Sequence, residues 1–162
     1  MFNQQRAVGG TMTWNSDEMS IYVEPFRNGL YLGASVVIVT YGISPVYQMQ
    51  PIIENLQRCK CVVSLLVGYS KKSHHLPSLF KTLTKYRELG WKVYVLPGCH
   101  FKVWGIGSVA WVGSMNFVQK TAPNIMVQIP YKAIMSDISA LFKKAYGFNN
   151  TTRLELVPVQ HP

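Results

Sequence analysis

The chain has 162 residues, of which 48% are hydrophobic and 14% are charged. These values favour one globular domain with a substantial core over two independently stable domains. No segment approaches the roughly 18 consecutive apolar residues of a membrane span, so the sequence predicts no stable membrane association. We expect a single domain over residues 1–162, with an irregular region or edge strands over 1–33 and a loosely held tail over 149–162. Segments 18–25 and 28–34 have strand-like patterns.

Positive charge is the first indication of a partner. The sequence has 16 Lys and Arg residues against 7 Asp and Glu residues, which gives a formal net charge of +9. Acidic residues are absent between Glu88 and Asp137, an interval that contains Lys92, Lys102, Lys120 and Lys132. This excess favours an anionic partner, and nucleic acid is the first candidate because phosphate neutralisation dominates its binding. A solvated basic surface would give the same count, so charge alone leaves both explanations open.

The N-terminus and the cysteines bear on the cellular compartment. Around Arg6 the N-terminus is polar and lacks the apolar core and cleavage site of a secretory signal. Cys59 and Cys61 stand one residue apart and Cys99 is alone, which is an odd count and not a disulfide framework. The cysteines also lack the spacing of a structural zinc site. We therefore expect a cytoplasmic protein with free thiols and with no metal or cofactor.

Strands and helices alternate in the first half of the chain. Runs rich in β-branched and apolar residues predict buried strands over Ser35–Gly42, Cys61–Ser70 and Trp91–Gly98. Pro51–Cys59 suits a short helix, and Leu76–Gly90 has apolar residues at helical spacing with a glycine as its C-cap. This order is typical of parallel strands joined by right-handed crossovers.

The pattern changes after His100. Phe101–Ile106 and Ser108–Ser114 are separated by a glycine turn and predict a β-hairpin. Asn124–Pro130 predicts another strand, and Tyr131–Phe148 carries apolar residues at helical spacing. The sequence therefore predicts an α/β fold in which a mixed β-sheet has helices on both faces.

Two short motifs flank this hairpin. His100-x-Lys102 precedes it, and Gly113-Ser114-x-Asn116 closes it. Together they resemble the HxK…GSxN signature of the phospholipase D superfamily, and the order of elements over 35–148 resembles the small single-motif endonucleases of that superfamily. The resemblance implies a phospholipase D-like fold and phosphodiesterase chemistry that uses no metal or cofactor.

The residue types suit that chemistry. An imidazole nitrogen is an uncharged nucleophile at neutral pH, so His100 can attack a phosphodiester and form a phosphohistidine. Two residues further along a strand, Lys102 would face the same side and hold its ammonium against a phosphate oxygen. Ser114 and Asn116 would offer a hydroxyl and an amide to the phosphate or to the imidazole. Gly113 would let the backbone approach the phosphate closely.

Cleavage also needs an acid for the leaving oxygen, and one imidazole cannot be nucleophile and acid in the same step. In the family that the motifs resemble, single-motif proteins dimerise so that two histidines meet across a two-fold axis. The resemblance therefore implies a homodimer with one composite site. The expected substrate is nucleic acid, with DNA preferred to RNA.

Further residues are candidates for binding the nucleic acid. Lys71, Lys72 and His74 follow the second predicted strand, at the edge of an α/β sheet where ligands usually bind. A solvated loop is the alternative for them. Lys120 follows the second motif and could guide the nucleic acid backbone. Two hairpin tryptophans, Trp104 and Trp111, either stack on bases or pack in the core.

The chain departs from the family pattern at two places. Gly107 stands where the full motif has an aspartate, and Pro123 or Asn124 stands where many relatives have a glutamate. Because such carboxylates orient catalytic groups, their loss leaves open a catalytically degenerate dimer that only binds nucleic acid. A phospholipid phosphodiesterase is a second alternative, disfavoured by the lack of an amphipathic anchor.

Overall fold

A computed structural model of the chain describes residues 3–7, 10–15, 24–119 and 124–151. The strands are β1 (Asn3–Ala7), β2 (Gly10–Asn15), β3 (Ser35–Thr40), β4 (Val62–Tyr69), β5 (Lys92–Pro97), β6 (Val103–Ile106), β7 (Val109–Gly113) and β8 (Asn124–Pro130). The helices are α1 (Glu24–Asn28), α2 (Gln50–Arg58), α3 (Leu76–Glu88) and α4 (Met135–Thr151), with 3-10 turns at Val46–Gln48 and Tyr131–Ala133.

All strands in the described part of the chain belong to one mixed sheet, in the order β1-β2-β8-β7-β6-β3-β4-β5. Strands β3, β4 and β5 are parallel, and α2 and α3 make the crossovers between them. The hairpin strand β6 pairs antiparallel with β3. The carboxyl ends of β3, β4 and β5 therefore meet the start of β6 at the same edge of the sheet.

Two hydrophobic clusters lie on opposite faces of the sheet. Neighbouring residues of β3 are divided between them, since Ile38 packs in the larger cluster and Val39 in the smaller. The larger cluster is covered by helices α1 to α3, through Phe26, Ile52, Leu56, Leu83 and Tyr86. The smaller is covered by α4, through Ile138 and Ala145. The predicted α/β fold with helices on both faces is confirmed.

The N-terminal third differs from the sequence-based expectation. Residues 28–34 form no strand, because the chain there ends helix α1 and turns through Gly33 into β3. Of the second strand-like segment, 18–25, only the last two residues lie in the described part, and they begin α1. Strands β1 and β2 instead come from residues nearer the start, and β2 pairs with β8.

The C-terminal helix extends further than expected. Helix α4 continues to Thr151, past Asn149 where the loose tail was expected to begin. The Asn149 amide explains this, because its Nδ2 donates to the Val95 carbonyl at 2.9 Å and its Oδ1 accepts from the Val95 N–H at 3.4 Å. Asn149 thus takes the place of a neighbouring strand at the open edge of β5. Residues 152–162 lie outside the described part.

No helix of the described residues is long and apolar enough to cross a bilayer. The three cysteines are free thiols, with Cys99 buried and the other two half-buried.

A buried tyrosine links helix α3 to the segment that follows β3. The Tyr86 hydroxyl donates to the Ser44 carbonyl at 2.7 Å, and burial raises the pKa of Tyr86 above its ordinary value. The folded state therefore holds this proton more tightly than the unfolded chain. Its contribution to stability is complete below the ordinary tyrosine pKa of about 10 and is lost as the pH rises above it.

We expect Tyr86→Phe to lower the free energy of unfolding by about 1–3 kcal/mol at pH 7, because the Ser44 carbonyl loses its donor. The variant should also lose less stability than the wild type between pH 7 and pH 11. Urea unfolding at both pH values measures this. Tyr146→Phe is the matched control, since Tyr146 is 58% exposed; equal pH slopes in Tyr86→Phe and the wild type would contradict the prediction.

Candidate active site

The connection from β5 to β6 places the histidine of the first motif. It must cross the ends of β4 and β3, a span of three inter-strand spacings or about 14 Å. Six residue steps from Pro97 to Val103 reach at most about 20 Å, so the connection must take a short path across the carboxyl edge. His100, in its middle, therefore lies over the ends of the parallel strands.

A glycine in β4 makes this crossing possible. A Cβ atom at Gly68 would lie 1.7 Å from the Cys99 carbonyl oxygen, so no other residue fits without moving the connection. The Gly98 N–H donates to the Tyr69 carbonyl at 2.8 Å and fixes the start of the crossing. Gly68 thus positions His100 although it is remote in sequence.

We expect Gly68→Ala to lower the free energy of unfolding by about 1–3 kcal/mol, the usual cost of overpacking, or more because backbone atoms must move. Chemical denaturation with urea measures the loss. Gly147→Ala is the matched control: an added Cβ there meets nothing within 4 Å, and alanine favours a helix. A Gly68→Ala protein as stable as the wild type would show that the connection can shift freely.

His100 is exposed and lies flat on a tyrosine. Its ring stacks on that of Tyr41, with centroids 4.1 Å apart and an interplanar angle of 19°. Tyr41 directly follows β3, so it forms a platform for the imidazole at the sheet edge. Stacking through the ring face leaves the ring nitrogens at the edge of the pair, where they remain open to a ligand.

Lys102 lies next to His100, but not for the reason that the sequence suggested. Strand β6 begins at Val103, so the alternation of a strand does not apply to the two residues. Instead, the half-buried Lys102 side chain folds back and its Nζ donates to the His100 carbonyl at 2.9 Å. The ammonium is therefore adjacent to the backbone that carries the imidazole.

Asn116 is held in one orientation by the residues that follow β3. Its Oδ1 accepts from the Tyr41 N–H at 3.0 Å and lies 3.2 Å from the Thr40 hydroxyl. The Thr40 oxygen in turn accepts from the Phe117 N–H at 2.9 Å. Asn116 Nδ2 has no acceptor among the described residues, so it is available as a donor to a phosphate. Tyr41 thus contacts both His100 and Asn116.

Ser114 and Gly113 join strands β7 and β8. The Ser114 hydroxyl donates to Asn124 Oδ1 at 3.0 Å and accepts from the Ile125 N–H at 3.1 Å. A Cβ at Gly113 would lie 2.0 Å from the Ile125 carbonyl oxygen. The close approach of strand β8 therefore explains why residue 113 is a glycine. The Ser114 hydroxyl is occupied by hydrogen bonds to β8. Asn124, one of the two positions (Pro123 or Asn124) at which many relatives of the resembling family have a glutamate, is the partner of Ser114.

Gly107, which stands where the resembling motif has an aspartate, is not adjacent to His100. Gly107 lies in the turn at the opposite end of β6, five residues and roughly 16 Å along a strand from Lys102. Its φ is +58°, and an added Cβ would lie 2.1 Å from the Tyr31 hydroxyl. The turn therefore favours glycine there, and a larger residue would have to displace the exposed Tyr31 ring.

The basic loop after β4 lies at the same edge. Lys71, Lys72 and His74 are exposed in the turn between β4 and α3. A cleft of about 420 Å³ separates this loop and α3 from the residues after β3, and its walls include Tyr41, Ser70, Ser73, His75 and Thr82. Sequence reasoning did not single out Tyr41. Tyr41 directly follows a parallel strand, and ligands usually bind at that edge of an α/β sheet, so its position could have identified it as a site residue.

Other candidate residues are placed as follows. Trp104 and Trp111 are buried, with 1% and 6% of their surfaces exposed, so they pack in the core and cannot stack on bases. Trp104 packs edge-on against Phe26. Lys120 lies outside the described residues.

Within the described part of the chain, no three His, Cys, Asp or Glu side chains lie close enough to hold a metal ion.

Comparisons with known proteins support the fold and nothing finer. No protein-family model and no curated protein matches the sequence. Among solved structures, polyphosphate kinase from Porphyromonas gingivalis is similar with a TM-score of 0.51 and 18% identity, over 71% of this chain and 22% of that one. The archaeal chromatin protein TrmBL2, described as showing a novel mode of DNA binding, is similar with a TM-score of 0.52 and 12% identity, over 84% of this chain and 52% of that one.

The chain thus spans about a fifth of the kinase and about half of the chromatin protein. At these identities the similarity concerns the fold alone. The kinase has a phospholipase D-like fold, and the mixed sheet described above, with helices on both faces, matches it over most of the described residues. The chain therefore has a phospholipase D-like α/β fold.

Proposed function

We propose that the protein is a metal-independent phosphodiesterase that cleaves nucleic acid through a phosphohistidine on His100. One arrangement supports this most directly: an exposed imidazole stacks on Tyr41, the Lys102 ammonium bonds to the His100 carbonyl, and the Asn116 side chain bonds to the Tyr41 N–H. Lys71 and Lys72 add positive charge at the same edge. A site of this kind holds an anionic phosphate in front of an uncharged nucleophile.

The reaction has two displacement steps. An imidazole nitrogen of His100 attacks phosphorus, a P–N bond forms, and the P–O bond to the leaving strand breaks. The leaving oxygen takes a proton from an acid, and water then attacks the phosphohistidine, gives up a proton to the same group and restores the imidazole. Lys102 and Asn116 Nδ2 bind the non-bridging oxygens, whose charge grows in both transition states.

We propose that the acid is His100 of a second copy, in a homodimer with a two-fold axis close to the site. The exposed position of His100 at the sheet edge supports this, because a partner's imidazole can approach it. Measuring mass in solution by light scattering tests the dimer. A strict monomer that still cleaves would overturn the composite site.

Incubation of the purified protein with plasmid DNA, single-stranded DNA and RNA in EDTA tests the proposed activity. Cleavage that survives chelation and is lost in His100→Ala supports it, and DNA is the expected preference. Cleavage that needs a divalent metal contradicts it.

A nucleic-acid-binding dimer without catalysis is the second candidate. The similarity to TrmBL2 favours it, because that protein is described as binding DNA and the likeness covers 84% of this chain. Tight, salt-sensitive binding without cleavage would support this candidate. Release of headgroups from liposomes would instead indicate a phospholipid phosphodiesterase.

A further inference from the structure

The cleft beside the candidate active site has the size of a small-ligand site. Its volume of about 420 Å³ lies in the range of pockets that hold one small organic molecule. One wall is the segment after β3, which includes Tyr41, and the other is the loop after β4 with the first turns of α3. The cleft is therefore built from the same edge of the sheet as His100.

The lining of the cleft suits a flat aromatic ring with polar edges. Tyr41, Ile43, Pro45 and Leu79 offer apolar surface, and Ser70, Ser73, Ser78 and Thr82 offer hydroxyl groups. Nucleic-acid bases have this combination, since their faces stack on aromatic and apolar groups and their edges form hydrogen bonds. Acidic side chains are absent from this lining.

The Ser70 and Ser73 hydroxyl groups are oriented by hydrogen bonds that leave their hydrogens available. The Ser70 oxygen accepts from the Lys72 N–H at 3.3 Å, and the Ser73 oxygen accepts from the His75 N–H at 3.2 Å. These bonds use oxygen lone pairs and orient both side chains. Within the described part of the chain neither hydroxyl hydrogen has an acceptor, so each can donate to a base edge.

Tyr41 connects the cleft to His100. Its ring stacks on the imidazole, and the residue also lines the cleft, so a base in the cleft would have its own phosphate close to the nucleophile. Lys71 and Lys72 belong to the loop that carries the two serines, where they would attract the adjoining phosphates. A base can enter such a cleft only when it is unpaired or flipped out of a duplex.

We propose that this cleft binds one unpaired base of a single-stranded nucleic acid, next to the phosphate that His100 attacks. The proposal rests on the proposed function for the place of that phosphate, but base binding itself needs no catalysis. The consequence is a preference for single strands over duplexes.

Fluorescence anisotropy in EDTA tests the proposal in the full-length His100→Ala protein, so that binding is measured whether or not the wild type cleaves. The probes are a 12-nucleotide oligo(dT), an abasic 12-mer with the same phosphates, and a 12-base-pair duplex. Oligo(dT) should bind about tenfold more tightly than the abasic strand, the effect expected for one stacked base. Equal affinities for the two strands would overturn the proposal.

Two variants of the same helix separate the cleft from the general surface. Thr82 lines the cleft, and Thr84 is exposed on α3 and does not. Thr82→Trp should fill the cleft and lower the affinity for oligo(dT) about tenfold while leaving the abasic strand unchanged. Thr84→Trp should change neither affinity. If both variants bind oligo(dT) like their parent, the cleft does not hold the base.

A second variant keeps the test valid if Thr82→Trp folds poorly. The double variant Ser70→Ala and Ser73→Ala removes the two donors with little change in shape. It should weaken oligo(dT) binding severalfold and leave the abasic strand unaffected.

The two proposals can fail separately. If the wild type does not cleave nucleic acid but still prefers oligo(dT) to the abasic strand, the proposed phosphodiesterase activity is wrong and the base-binding site stands.

Discussion

His100→Ala should lower the rate of metal-independent cleavage roughly 10³-fold or more, because the variant has no nucleophile to form the covalent intermediate. The wild type should give a protein–nucleic acid adduct when the reaction is quenched, visible as a shifted band on a denaturing gel. The linkage should be stable to alkali and labile to acid, as expected for a phosphorylated imidazole. His100→Ala should give no adduct.

The loss of cleavage in His100→Ala must be distinguished from a loss of folding or of nucleic-acid binding. His100 is exposed, so its substitution should leave the unfolding midpoint close to that of the wild type. Binding to a single-stranded oligonucleotide should change only severalfold. Cleavage by His100→Ala at a rate within tenfold of the wild type would refute the proposed nucleophile, and a missing adduct in the wild type would point to direct attack by water.

Lys102→Ala should lower the cleavage rate about 10²–10³-fold, the usual effect of removing one donor from a developing charge. The ammonium lies 2.9 Å from the His100 carbonyl, beside the backbone that carries the imidazole, and in the proposed reaction both groups act on one phosphate. Lys102→Arg should recover part of the rate because it restores the positive charge. Single-turnover cleavage of a labelled oligonucleotide measures both variants.

Lys143→Ala is the matched control for charge, since Lys143 is exposed on α4. It removes one positive charge, as Lys102→Ala does, and should change the rate less than twofold. If the two variants lose activity equally, Lys102 contributes to the general attraction of nucleic acid rather than to the reaction. If Lys102→Ala cleaves like the wild type, the proposed role is wrong.

Two departures from the family pattern now have structural explanations. Gly107 lies at the far end of β6 from His100, in a turn with a positive φ, so an aspartate at this position would not lie beside the imidazole. Asn124 accepts from the Ser114 hydroxyl, and an amide oxygen can do this without adding negative charge near the proposed phosphate site. Neither departure therefore argues against catalysis on geometric grounds.

Local sequence patterns predicted most of the elements that carry the site. The strands around Val39, Leu66 and Val95 were predicted because strands buried on both faces are nearly continuous apolar runs. The hairpin was predicted because apolar segments flank the glycine turn at Gly107. The boundaries shifted by only a few residues, but one shift mattered, since it removed His100 and Lys102 from strand β6.

The sequence by itself determined the fold class, the excess of positive charge and the motif residues His100, Lys102 and Asn116, because these depend on residue type and on local periodicity. Tertiary structure alone decided that Tyr41 supports both His100 and Asn116, and that Gly68 lets the Cys99 backbone pass. These contacts join residues 31 to 75 positions apart. Their geometry follows from the order of strands in the sheet, which a local pattern does not contain.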